Sequence, residues 1–150
     1  EVFELRDYLQ NLDFEYDAIV SGAIRSDYQK TRIERMCEDL QKISFTPIWH
    51  NDSVSHLESL IKEGFEVVIS SVSCEGLTSE WIGKKIDSDS LILLKKLSET
   101  YGFNVDGEGG EYETVVVKAP HFKKKIEYEG KTIWDGVRGH IIFESFSLSN

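Results

Sequence analysis

The chain has 150 residues, 40% of them hydrophobic and 11% aromatic, enough to bury a core in one domain or two small packed lobes and too apolar for a disordered chain. A formal net charge of −10 argues against broad binding to phosphate backbones, so nucleic acid is not an expected partner. No apolar run reaches the roughly 20 residues that a spanning helix needs, and no signal segment opens the chain, so a cytoplasmic protein without membrane contact is expected.

Leu5, Tyr8, Leu9 and Leu12 recur at helical spacing, which predicts an opening amphipathic helix that needs something to pack against. "DAIVSG" follows, a short unbroken apolar run ending in Gly22, as in a buried strand of a parallel sheet. The next helix carries Ile33, Met36, Cys37 and Leu40 on one face, and Ser26 with Gln29 has the spacing of a capping box at its start. "FTPIW" reads as a short strand, Val54, Leu57, Leu60 and Ile61 as a third helix ended by Gly64, and "EVVISSV" as a further buried strand. This alternation predicts an α/β, Rossmann-like parallel sheet covered on both faces.

Beyond this the texture changes. A helix carrying Leu91, Leu94, Leu97 and Tyr101 ends at Gly102, and "TVVVKA", "KKKIEYEGKTI" and "GHIIFESFSL" are strand-like with no long helix between them. The expected organisation is a Rossmann-like part over residues 1–80 and a smaller α+β lobe over 81–150. Cys37 and Cys74 lie in different apolar patterns, with no second Cys or His at metal-ligand spacing, and read as buried thiols; no metal-ligating set is expected. Lys123, Lys124 and Lys125 read as a solvated strand edge. The four histidines have no inferred pairing, and Trp81 and Trp134 read as packing anchors.

Two stretches carry chemistry. In "SGAIRSDYQKTRIE", residues 21–34, Gly22 stands at the carboxyl end of a strand, where open parallel sheets bind ligands, and the following helix start offers free N–H groups to an anion. Gln29, one turn ahead of Ile33, is expected along the buried face with Arg32 beside it; from pattern alone, however, a capping box of Ser26 and Gln29 and a solvent-facing Arg32 explain them fully, and this is the reading that pattern alone favours. In "DGEGGEYET", residues 106–114, Gly107, Gly109 and Gly110 give a backbone free to take positive φ, and Asp106, Glu108, Glu111 and Glu113 supply carboxylates suited to Mg²⁺, to another cation, or to general-base work. The competing reading is an acidic solvated hairpin. Thr114 then starts an apolar strand that anchors the loop.

The stretches "SGAIRSDYQKTRIERMCEDL", "FTPIWHN", "EGFEVVISSVSCEGLTSEWIGKKID" and "YGFNVDGEGGEYETVVVKAPHFKKKI" together resemble the diphthine–ammonia ligase family of adenine-nucleotide alpha-hydrolase proteins. The resemblance runs from about residue 16 to residue 126 in order, and "GEGGEYET" is its most specific element.

This resemblance implies a Rossmann-like lobe of the HUP type that cleaves ATP between its α- and β-phosphates, with Mg²⁺, and a smaller carboxy-terminal lobe carrying the glycine-acid motif. The implied reaction activates the carboxylate of diphthine, a modified histidine of translation elongation factor 2, as an acyl-adenylate; ammonium then supplies the amide nitrogen of diphthamide and AMP leaves. Carried over, Gly22, Ala23, Ile24, Ser26, Gln29 and Arg32 would bind the nucleotide. Glu108, Glu111 and Glu113 would be the catalytic carboxylates. Tyr28, Gly107, Gly109, Gly110, Tyr112 and Thr114 would meet the substrate, with Tyr112 and Trp49 offering aromatic faces to its trimethylammonium. The family's "SGGKDS"-type phosphate loop does not occur here, so the sheet is expected to be incomplete at its amino-terminal end, the chain being a fragment of a longer enzyme. The alternatives are an ATP pyrophosphatase acting on a small carboxylate or tRNA, and a truncated, non-catalytic binding module.

Overall fold

A computed structural model describes residues 2–149. The chain forms two compact units, Glu1–Asn51 and Asp52–Asn150.

In the first unit, helix α1 (Val2–Gln10) precedes strand β1 (Ala18–Val20), helix α2 (Asp27–Asp39) and strand β2 (Ile43–Phe45). β1 and β2 pair in parallel, Ala18 opposite Ile43 and Val20 opposite Phe45, with α2 as the crossover that parallel pairing requires. The Ser26 hydroxyl caps α2 by accepting the Gln29 N–H at 3.3 Å. Met36 and Cys37 are the residues α2 buries. α1 buries none of its side chains, and its Arg6 lies 3.7 Å from Asp39 of α2. The second strand falls before the expected "FTPIW": Pro47 has no N–H to give a ladder, and 46–50 instead form turns in which Trp49 N–H donates to Thr46 O at 3.2 Å.

The second unit contains α3 (Ser53–Lys62), β3 (Glu66–Val72), a single 3₁₀ turn (Ser79–Trp81), β4 (Lys85–Ile86), α4 (Ser88–Tyr101), β5 (Tyr112–Lys118), β6 (Lys125–Trp134) and β7 (Gly139–Ser149). Here the expectation of one parallel sheet is corrected. β3 pairs antiparallel with β4, β5 and β7, and β6 pairs antiparallel with β7, so among the described residues parallel pairing is confined to β1 and β2. A continuous apolar run marks a strand covered on both faces, not the direction of its neighbours. Val67, Val68 and Ile69 are buried in succession at the centre of this antiparallel sheet. Because β3 finds all its partners later in the chain, it belongs with them; the compact units divide at 51/52, whereas the sequence reading divides the lobes at 80/81.

α4 holds the sheet's inner face. Leu94 and Ile69 are fully buried and Val72 nearly so, in one cluster with Leu57, Trp81, Ile86, Leu91 and Tyr112, against which Trp134 packs. Asp87 and Ser90 cap α4 reciprocally, and Gly102 closes it in the left-handed region at φ 76°. At the start of β3, Glu66 lies within 3.3–3.7 Å of Lys85, Lys118 and Lys125. Partial burial opposes ionisation of Glu66, but the three ammonium groups prevail and hold its carboxyl below the ordinary range. Lys125, half-buried, is therefore paired with Glu66 of β3 and Glu127. No helix among the described residues is long and apolar enough to cross a membrane.

Candidate functional site

The first unit gathers its polar groups at the carboxyl ends of β1 and β2. Ser21 N–H continues the ladder to Phe45 O at 3.0 Å, and the hydroxyls of Ser21 and Thr46, just beyond the two strands, lie 3.1 Å apart. Gly22 is exposed, and a Cβ built there would meet nothing within 4 Å. Ala23 is half-buried and Ile24 is buried; the Ile24 carbonyl accepts the His50 N–H at 2.8 Å, which draws the 46–50 turn against the loop after β1. His50 pays for this with a left-handed φ of 59°.

Around this loop pair stand cations and rings. His50 stacks on Trp49 with centroids 4.6 Å apart, and Lys30, ion-paired with Glu34, sits 5.2 Å above the Trp49 ring. The indole face is therefore already met by a cation from its own unit. Tyr28 is exposed, with the half-buried Arg32 guanidinium 5.1 Å from its ring centroid. Gln29 is exposed rather than set along the buried face, because Met36 and Cys37, not Gln29, define the face α2 turns inward. Ser26 is engaged as the cap. Thr46, Lys30 and the Ser21 hydroxyl are the groups sequence reasoning did not single out; "FTPIW" after a second apolar run was the available signal for Thr46.

In the second unit, residues 106–111 form a loop between α4 and β5 whose parts hold one another. Glu111 Oε1 accepts the Asn104 backbone N–H at 2.9 Å and its side-chain amide at 2.8 Å, and Oε2 accepts the Gly109 N–H at 2.8 Å. Gly107 and Gly110 take φ of 75° and 84°. Gly109 is needed for space, since a Cβ there would meet Glu111 Oε1 at 2.6 Å and Asn104 Nδ2 at 2.8 Å. Ser73, just beyond β3, closes the loop from below: its N–H donates to Glu111 O at 2.8 Å and its hydroxyl to Gly110 O at 2.5 Å.

The loop carboxylates thereby separate into roles. Glu111 is consumed as an internal acceptor. Asp106 accepts a hydrogen bond from the buried Ser53 hydroxyl, and Glu108 N–H lies 3.4 Å from Asp106 Oδ1. Glu108, Glu113 and Thr114 are exposed. Tyr112 is 3% exposed and its hydroxyl donates to Val105 O at 2.6 Å, so its ring belongs to the core rather than to an open aromatic face. Burial, with the Asp106 and Glu111 charges behind it, pushes the Tyr112 phenol far above its ordinary range. Burial likewise raises the half-buried Cys74 thiol, helped by Glu111. Among the described residues no group of three or more His, Cys, Asp or Glu is disposed to hold a metal ion.

The sequence matches two family descriptions, Diphthamide synthase N-terminal domain over residues 1–42 and Diphthamide synthase C-terminal domain over residues 52–148. It is 36% identical over 129 residues to a protein of Danio rerio named diphthine–ammonia ligase, covering 84% of this chain and 50% of that protein. Proteins of the same name are 38% identical over 113 residues in Homo sapiens, covering 75% of this chain and 42% of the relative, and 34% identical over 129 residues in Schizosaccharomyces pombe, covering 85% and 21%. The chain thus spans about half, or less, of the length of these relatives. Matches over both compact units, in order, establish that the chain belongs to the diphthamide synthase family.

Proposed function

We propose that this chain is part of an ATP-dependent, AMP-forming amide ligase that converts diphthine on translation elongation factor 2 to diphthamide in the cytoplasm. The diphthine carboxylate attacks the α-phosphorus of ATP and pyrophosphate leaves. Ammonia then attacks the acyl carbon of the adenylate, AMP leaves, and one proton is released with the new amide. The observation that carries the reading is that one family matches both units, the one with the open glycine after β1 and the one with the glycine-acid loop.

Under this reading the exposed Gly22 backbone and the amides at the start of α2 meet the nucleotide's phosphates, because helix N-termini favour anions and a residue without Cβ lets them approach. Ala23 and Ile24 shape that loop, and Ser26 and Gln29 fix the helix start through their cap. Arg32 supplies positive charge close to it, and the Ser21 and Thr46 hydroxyls lie at the same strand ends. Glu108 and Glu113 are exposed, and this reading assigns them to ammonium or to a trimethylammonium group. Glu111 is a positioning residue that shapes the loop. Mg²⁺ would enter with the phosphates, neutralising them; with Glu111 saturated by N–H donors, this loop is a poor all-protein cage for that ion, and no step is assigned to it.

The test joins this chain to the phosphate-loop segment of a relative and supplies ATP, Mg²⁺, ammonium and diphthine-bearing elongation factor 2. Stoichiometric AMP and diphthamide are expected. Neither product from a folded protein that binds ATP would overturn the proposal.

A further inference from the structure

The start of β3 gathers lysines that the sequence scatters. Glu66 opens the strand and is in register with Lys118 at the end of β5, and Lys85 of β4 and Lys125 at the start of β6 come in beside it. Lys118 Nζ lies 3.7 Å from Glu66 Oε1, while Lys85 and Lys125 share Oε2 at 3.6 and 3.3 Å. Three ammonium groups from three strands thus stand around one carboxylate, whose charge offsets their mutual repulsion.

The connection from β5 to β6 widens this cluster. Ala119 O accepts the Phe122 N–H at 2.9 Å in a tight turn, and the His121 ring packs edge-on against Phe65, the residue before β3, at 6.3 Å between centroids, and against Phe122 at 5.0 Å. These contacts hold the turn beside Glu66, and from it the exposed Lys123 and Lys124 lead into Lys125. The lysines outnumber the carboxylates that meet them, Glu66 and Glu127, the latter 3.5 Å from Lys125. The local balance is positive on a chain whose formal net charge is −10.

An ammonium group has three donors, and contact with Glu66 occupies only part of each set. The Lys118 and Lys85 side chains are 53% and 46% exposed, so their remaining donors face solvent. Lysines ordinarily lose much rotamer freedom on binding, but Glu66, fixed in the sheet and 21% exposed, has already drawn these together, which lessens that loss. Glu66 also shows the chemistry the cluster accepts, a carboxylate shared among ammonium groups. A nucleic acid would run on past the cluster over the acidic remainder of the chain and be repelled there. A short acidic segment borne on a protein can present its carboxylates to the lysines alone, with the part-exposed Phe122 ring beside them for an apolar neighbour.

We propose that the start of β3 is a docking surface for an acidic segment of a protein partner, its carboxylates taking the outward donors of Lys85, Lys118, Lys123 and Lys124 around the Glu66–Lys125 pair. Ser73 and the glycine-acid loop lie beyond the other end of this seven-residue strand, about 20 Å away at a rise of about 3.3 Å per residue, so a partner docked here leaves that loop uncovered. The surface does not rest on the ligase reading.

The test is amide NMR of the 150-residue chain titrated with an oligoglutamate peptide, with oligoglutamine and oligothymidylate of the same length as the neutral and phosphate probes. Shifts with oligoglutamate should concentrate at 66, 85 and 118–125, leave 106–111 unmoved, and saturate at concentrations at least tenfold lower than with either other probe. Lys118→Gln and Lys124→Gln should each weaken oligoglutamate at least threefold, whereas Lys95→Gln, which removes the same charge from the exposed side of α4, should leave its binding unchanged. Equal responses to the two peptides, an oligonucleotide that binds as tightly as oligoglutamate, equal weakening by Lys95→Gln, shifts elsewhere, or no shifts overturn the inference.

Discussion

Asn104 offers both its backbone N–H and its side-chain amide to one oxygen of Glu111, at 2.9 and 2.8 Å, while the other oxygen takes the Gly109 N–H. The carboxylate that sequence places at the centre of an acidic site is the bracket of its own loop. Glu111→Ala should therefore lower stability by about 1–2 kcal/mol, since three charge-assisted bonds are lost at a partly solvated position. Urea unfolding should show this loss. Glu113→Gln, on the exposed face of β5, should leave the midpoint unchanged, and a reversed order of the two variants would refute the assignment.

The loop's glycines should rank by what a methyl group would strike. At Gly107 a Cβ would meet the Tyr112 carbonyl at 2.9 Å and its ring at 3.1 Å, on a backbone at φ +75°. Backbone cannot swing aside, so Gly107→Ala should cost about 1–3 kcal/mol from strain and displacement together. At Gly109 the nearest atoms are the ends of Glu111 and Asn104, and φ is not in the left-handed region. Gly109→Ala should cost no more than Glu111→Ala, and the double variant should cost little beyond either single one, which a double-mutant cycle would read directly.

Acid should act on α4 through its cap. Asp87 accepts the Ser90 N–H at 2.9 Å and receives the Ser90 cap in return, and these bonds, led by the Ser90 amide and outweighing burial, depress its carboxyl below the ordinary value. A depressed folded-state pKa means the unfolded chain binds the proton more readily, so the stabilisation is full above the unfolded pKa of about 3.9 and fades as pH falls through the folded value. Asp87→Ala should cost about 1 kcal/mol at neutral pH, and this difference should narrow in acid below pH 4. A difference that is constant from pH 7 to pH 3 would contradict the cap's ionic character.

The core makes a larger demand. Leu94 is fully buried on the face of α4 that meets Ile69 and Val72. Leu94→Ala removes three buried carbons where the surroundings are packed on every side, so a loss of about 2–5 kcal/mol is expected in thermal or urea unfolding. Ile92→Ala, two residues away but exposed, should stay within about 0.5 kcal/mol.

These contrasts show where the sequence was readable. Helices announced themselves through local signals, Ser26 at the start of α2, Gly64 after α3, and Gly102 after α4, because caps and periodicity are properties of neighbouring residues. Strand direction was not local. Val67 to Ile69 read alike whether their partners run with or against them, and only the later chain supplies β5 and β7. The same reason hid the lysines around Glu66: Lys85, Lys118 and Lys125 lie on three separate strands and meet only where those strands return to the start of β3. Glu111 and Glu113 were equally prominent as letters. Their separation into a bracket and an exposed carboxylate depends on which way the backbone turns at Gly109 and Gly110.

Gly22 offers the sharpest separation of stability from function. Its φ is not in the left-handed region and a Cβ would meet nothing within 4 Å, so neither strain nor packing requires glycine there. Gly22→Ala should be neutral or stabilising by up to about 1 kcal/mol, since alanine restricts the unfolded chain. Under the ATP reading, however, the space beyond that Cα is where phosphate oxygens approach the backbone, and a methyl group would hold them away. In the chain joined to a phosphate-loop segment, the variant should melt at or above the parent temperature yet bind ATP–Mg²⁺ at least tenfold more weakly by calorimetry. Unchanged affinity would remove Gly22 from the nucleotide site and move the phosphates to some other part of the first unit.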